Sequence, residues 1–236
     1  MRPLDKKPDL SKSKIAAFEH CPKRLWLQVH RREVGQVDEK TLTLFAAGHT
    51  VGELARAELP SGILIDNDYR DVDGALGRTT ALLAGGWEFP IFEAAFEREG
   101  VVIRADILQP DRWGGWSLIE VKNSSRFSSY MLRDVATQTW VLGANRICIS
   151  AVILRLRRRR LTHGRPDSVP GFIDTDVTPD IRSIVRHRGI TVGNARRSLR
   201  GAEPERKIGS HCTSPFICEF RAYCGELAAD APPARR

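Results

Sequence analysis

VVIRADILQPDRWGGWSLIEVKNSS, residues 101–125, decides how this chain folds. An apolar run carrying Val101, Ile103, Ile107 and Leu108 ends at Pro110, and a second one carries Leu118, Ile119 and Val121. Between them, Asp111 to Gly115 has turn chemistry, so the two runs predict an antiparallel hairpin. FPIFEAAFERE (residues 89–99) turns at Gly100 and adds a strand on the other side, which makes a three-stranded meander. An acid stands in each strand of the hairpin, Asp106 and Glu120. Glu120 and Lys122 are two residues apart and project to one face, with Val121 on the opposite face. The hairpin therefore brings both carboxylates within reach of one divalent cation, and hard oxygen donors suit Mg²⁺ or Mn²⁺. Such an ion polarises a phosphoryl oxygen and helps to generate hydroxide. Lys122 is placed to orient the water or to stabilise charge developing on phosphorus. A solvated hairpin also carries charge without function. The setting argues otherwise here, because acids among apolar strand residues are seldom buried without a partner or a metal.

Working outward, residues 10–30 predict a helix capped at Ser11 or Ser13 and broken at Pro22. Residues 40–58 and 70–85 predict two more helices, with a short strand over 61–66. MLRDVATQTWVLGAN (131–145) reads as a helix ending at Gly143 or Asn145. ICISAVILRLRRR (147–159) reads as a long apolar strand at the centre of the sheet, with Cys148 a buried core thiol. Residues 161–180 are rich in Pro, Gly and Asp and read as loop. Residues 177–200 give a last helix or two. The expected fold class is α/β, a mixed sheet flanked by helices.

At 236 residues and 42% hydrophobic content the chain can bury a sizeable core. No apolar run has membrane-span length and the N-terminus lacks a secretory pattern, so the expected compartment is the cytoplasm, with no membrane partner. Thiols stay reduced there, and the five cysteines point to metal ligation rather than disulfides. The net charge of +8 favours a polyanionic partner. Arg157, Arg158, Arg159 and Arg160 extend past the end of a strand and read as a phosphate-contacting edge. Trp26, Trp140 and Phe216 are candidates for base stacking, with core the better reading for Trp26. No base-reading motif is visible, which predicts weak sequence preference.

RADIL, SLIEVKNSS and DVATQTWVLG together resemble the core of the PD-(D/E)XK nuclease superfamily in its RecB-like branch. The resemblance implies a restriction-endonuclease-like sheet with Asp106, Glu120 and Lys122 as catalytic residues. It also implies that Gln138, on the following helix, binds substrate phosphate or positions the lysine. Asp106, Glu120 and the Val121 backbone carbonyl would hold the metal. Where the family often has a tyrosine, this chain has Leu142. An N-terminal helix of such nucleases supplies a further ligand, in many members a histidine, and that position here is Gly52. The neighbouring Glu53 is the preferred substitute, with His49 one helical turn earlier as the other candidate.

Cys212, Cys218 and Cys224 fall at C-x5-C-x5-C spacing, with Cys21 far upstream in FEHCPKRLWL. Zinc ribbons show C-x2-C knuckles, and cysteine tetrads also bind [4Fe–4S] clusters, so spacing leaves the two open. The pairing of CP-K-R-x-W-L with a C-terminal cysteine triad is similar to iron–sulfur nucleases of the CRISPR-associated Cas-four exonuclease type, and to the helicase–nuclease AddB. That resemblance implies a [4Fe–4S] cluster held by Cys21, Cys212, Cys218 and Cys224, tying the chain ends together. The spacing is wider than in the CRISPR group and points to a neighbouring branch. Lys23 and Arg24, beside the first ligand, would offer DNA a basic surface.

The reading as a whole is a single nuclease domain over 1–226 with a disordered tail over 227–236. Its cluster subdomain comes from about 10–35 and 205–226, and its core spans about 40–160. The expected activity is Mg²⁺- or Mn²⁺-dependent cleavage of DNA, as an exonuclease on single strands. CRISPR adaptation proteins or a helicase are the expected partners, in CRISPR adaptation or DNA repair. The alternative is a non-cleaving iron–sulfur or zinc DNA-binding module.

Overall fold

The computed structural model describes residues 10–37, 39–157 and 171–229. In chain order its elements are β1 (Leu10–Ser11), α1 (Lys12–His20), α2 (Pro22–His30), α3 (Glu39–Ala57), β2 (Ile63–Leu64) and α4 (Val72–Ala84). Then come β3 (Ile91–Arg98), β4 (Val101–Pro110), β5 (Trp116–Lys122), α5 (Ser129–Ala144), β6 (Ile149–Arg157), β7 (Phe172–Asp176), α6 (Thr178–Arg200) and α7 (Arg221–Ala229). Its described residues divide into two compact units, one from residues 10–12, 44–157 and 171–188, the other from 13–37, 39–43 and 189–229. It is an α/β fold.

The first unit is built on a mixed sheet in the order β2-β3-β4-β5-β6-β7, with β1 added alongside β4. The expected meander is there: β3, β4 and β5 pair antiparallel in sequence order. The β4–β5 turn is held by the Asp111 carboxylate, which accepts the amides of Trp113 (2.7 Å) and Gly115 (2.9 Å). Gly114 supplies the left-handed residue with φ 81°. β6 returns parallel to β5 through α5, the usual crossover of an α/β unit. One apolar cluster joins Ala55 of α3 to Phe92, Ile107 and Ile119, with Val121 and Ile153 beside them. Burying an aliphatic or aromatic side chain of this size stabilises by about 1.5–3 kcal/mol. α5 buries Met131, Val135, Ala136 and Leu142.

Several expectations need correction. FIDTD, read as loop, is β7, an antiparallel edge strand on β6. Cys148 is exposed rather than buried, because β6 begins one residue later. The helix or two read over 177–200 is one continuous helix, α6. α7 runs to Ala229, so residues 227–229 of the expected tail are helical. Arg158, Arg159, Arg160 and the rest of that tail lie outside the described residues.

The second unit packs α2 against the C-terminal segment. Leu27, Cys218 and Phe220 form its core, with Trp26, Val34 and Tyr223 around them. Two half-buried acids organise it. Glu219 takes Arg24 (2.9 Å) and Gln28 (2.7 Å), and Glu203 takes Lys23 (2.8 Å) and the Tyr223 hydroxyl (3.1 Å).

Candidate active site and cysteine cavity

The β4–β5 ladder stops partway. It runs from Pro110↔Trp116 to Ile107↔Ile119, and beyond that point Glu120, Val121 and Lys122 leave β4 and keep the β6 partners that β5 has along its other edge. β4 keeps β3 on its other edge throughout, and β1 takes the vacated edge at Val101 and Val102. The strands therefore fork, and Asp106 lies at the fork. Its Oδ2 accepts the Val121 amide at 2.8 Å, which satisfies a backbone donor the ladder has released.

Glu120 is the hub. Only 2% of its side chain is exposed, and three side chains reach it. Lys12 Nζ donates to Oε1 (2.9 Å) and Oε2 (3.0 Å), Gln138 Nε2 donates to Oε2 (2.6 Å), and Lys122 Nζ stands 2.8 Å from Oε1. Lys122 also donates to Asp134 Oδ2 at 2.7 Å. Gln138 thus binds the glutamate rather than the lysine; it is fully buried, and its Oε1 has no donor among the described residues.

A cleft of about 500 Å³ opens over this fork, lined by Glu93, Asp106, Ile107, Glu120 and Val121 from the sheet and by Gly48, His49, Gly52 and Arg56 from α3. Glu53 is exposed and does not line it. Residues 48, 52 and 56 recur every turn on the face of α3 that lines the cleft, and from the neighbouring row His49 reaches it while Glu53, one turn on, does not. His49 is at the cleft, and so is Gly52, the position where a histidine was expected.

Burial raises the Asp106 carboxyl to about 7, helped by the charge of Glu120 and opposed by Lys12. Burial alone would raise Glu120 as well, but Lys12 and Lys122 outweigh it and hold Glu120 below its ordinary value. Burial works against the Lys122 ammonium, yet Glu120 and Asp134 shift it upward. The site thus holds one carboxylate ionised and one near neutral, with a lysine locked in its charged form.

Sequence reasoning missed three residues. Glu93 stands opposite Asp106, between the pairs Phe92↔Ile107 and Ala94↔Ala105, and burial raises its carboxyl too. Its φ of 55° puts a non-glycine residue in the left-handed region. An acid inside the apolar run PIFEAAF was the available signal. Asp134 lies one turn before Gln138 on α5, and that spacing was readable. Lys12 contacts Glu120 across 108 residues of sequence and left no local signal.

In the second unit Cys21, Cys212, Cys218 and Cys224 line one small cavity with Leu27 and Phe220. No disulfide joins them, and burial pushes the Cys218 thiol up to about 11. Four thiols facing one cavity fit a four-cysteine cluster or a tetrahedral zinc, either of which requires the thiolates. Among the described residues, no three His, Cys, Asp or Glu side chains stand in a ready-made metal cage. His211 Nε2 is 3.5 Å from the Cys212 sulfur. Lys23 and Arg24, expected at DNA, are engaged by Glu203 and Glu219. Trp26 is half-buried with its indole N–H on the Gly201 carbonyl (3.0 Å), and Trp140 is core. Phe216 is 40% exposed beneath the Arg24 guanidinium, 4.7 Å from the ring centre. Arg157 ends β6 with a 3.4 Å contact to Asn123.

Among the described residues no helix is long and apolar enough to cross a membrane. No family model matches the chain, and no curated protein matches it. A solved structure described as the crystal structure of SSO0001 superposes with a TM-score of 0.38 at 14% identity, covering 81% of this chain and 79% of that one.

Proposed function

We propose that the protein is a metal-dependent DNA nuclease of restriction-endonuclease-like fold, acting on single-stranded DNA. The observation that carries this reading is the fork between β4 and β5, which sets Asp106 and Glu120 at one cleft with Lys122 behind them. Asp106 and Glu120 would hold Mg²⁺ or Mn²⁺, which when bound polarises the phosphoryl oxygen and acidifies water. Lys122, kept charged by Glu120 and Asp134 behind the cleft, would offset the charge that builds on the phosphate. Gln138 fixes the Glu120 carboxylate. The cysteine cavity would hold a [4Fe–4S] cluster that braces the second unit, and the basic composition favours a nucleic-acid partner, CRISPR adaptation proteins or a helicase being the proposed companions in the cytoplasm.

Anaerobic purification with metal analysis, followed by assay on 5′- and 3′-labelled single strands, tests this. The expected protein is brown, contains iron, and cuts only with Mg²⁺ or Mn²⁺. Asp106→Ala and Lys122→Ala variants that cut like the unaltered protein would remove the assignment, and zinc in place of iron would remove the cluster. One observation favours a second reading, a DNA-binding module that does not cleave: α3 presents Gly52 to the cleft while Glu53 faces away. Metal-dependent DNA binding without cleavage of any strand would select it.

A further inference from the structure

Glu120 has two oxygens and about four lone-pair positions. All four are taken: Oε1 by Lys12 and Lys122, Oε2 by Lys12 and Gln138. A divalent cation reaching this carboxylate must displace a donor, and the three are not equally held. Gln138 is fully buried in α5. Lys122 has a second anchor in Asp134 at 2.7 Å and an exposure of 18%. Among the described residues the Lys12 side chain bonds Glu120 alone, through both carboxylate oxygens, and at 23% it is the most exposed of the three. It is also the first residue of α1, directly after the two-residue β1. A short element with few bonds moves more easily than the middle of a helix or strand.

From this geometry we infer that Lys12 is an exchangeable cation of the site: its ammonium competes with a divalent metal ion for Glu120 and yields the carboxylate when the ion binds. The inference rests on the proposed reading of Asp106 and Glu120 as a cation site. Lys12 is therefore a positioning residue, acting through Glu120. While it is in place it holds the carboxylate in a fixed orientation and offsets its charge. Its positive charge also opposes the incoming ion, because like charges a few ångströms apart repel strongly in a partly buried site.

The test is direct Mn²⁺ binding by the full chain, measured by electron paramagnetic resonance, for the unaltered protein, Lys12→Met and Lys12→Arg. Lys12→Met removes the competitor, and its Mn²⁺ Kd is expected to fall roughly tenfold or more. Lys12→Arg keeps the charge and is expected to bind as the unaltered protein does. A purely structural lysine would instead give weaker binding on removal. If Lys12→Met loses cooperative melting, Lys12→Gln replaces it with the same expected tightening. Unchanged or weaker binding in the folded neutral variant overturns the role of Lys12 and leaves the cation site standing. No Mn²⁺ uptake by the unaltered protein overturns both.

Discussion

The Asp106 carboxylate accepts the Val121 amide across the fork at 2.8 Å, just where the β4–β5 ladder has ended. Asp106 therefore does two jobs. It closes a backbone bond, and it faces the cleft with its carboxyl raised to about 7 by burial and by Glu120. A raised carboxyl binds its proton more tightly folded than unfolded. Its contribution to stability is full below the unfolded value near 4 and is lost as pH rises towards 7. Asp106→Asn removes the ionisable group, so in metal-free buffer it should raise Tm relative to the unaltered protein at pH 8 more than at pH 5. Equal differences at the two pH values would show that Asp106 ionises normally.

Metal uptake should carry the opposite pH dependence. Coordination needs the ionised carboxylate, so Mn²⁺ affinity should rise between pH 6 and pH 7.5, by up to about tenfold per unit below the Asp106 value. Titration calorimetry in two buffers of different ionisation enthalpy would report the proton released on binding. Asp106→Asn should abolish that release.

Asp134 keeps Lys122 charged and in place. Asp134→Asn keeps the shape and removes the charge. On the proposed nuclease reading, misplacing a lysine that acts on the transition state costs roughly 10- to 100-fold, and the loss should fall on kcat with KM little changed. A matching rise in KM would show instead that the pair serves substrate binding.

The five cysteines should separate by reactivity. Cys148 is exposed, whereas Cys21, Cys212 and Cys218 are buried and the Cys218 thiol is pushed up to about 11. In metal-free protein, iodoacetamide should modify Cys148 first and the cavity thiols only on unfolding, as read by peptide mass spectrometry. Cys148→Ser should leave iron content unchanged, and Cys21→Ser should lower it.

The meander was legible because its runs are apolar, its turns carry Gly, Pro and Asp, and its strands follow one another closely. β7 was not, since in FIDTD only Phe172 and Gly171 beside it escape full exposure and no alternation remains to read. Asp106, Glu120 and Lys122 could be placed from sequence because each lies on a strand the pattern defines, whereas Gln138 was singled out by the family resemblance. Glu53 shares a helical row with His49 yet is exposed outside the cleft lining, and no local pattern tells the two positions apart. Lys12 was out of reach of any local pattern, since its partner lies 108 residues away.

Glu93 holds a backbone conformation that glycine adopts freely, with φ 55°. Strain of this kind costs on the order of 1–3 kcal/mol, and Glu93→Gly would relieve it while also removing a half-buried acid. The expected variant melts higher, and on the proposed reading of the cleft it gives up a carboxylate beside Asp106, a trade between robustness and chemistry at a single position. Thermostabilising this chain by relaxing its backbone would therefore begin by disarming its cleft.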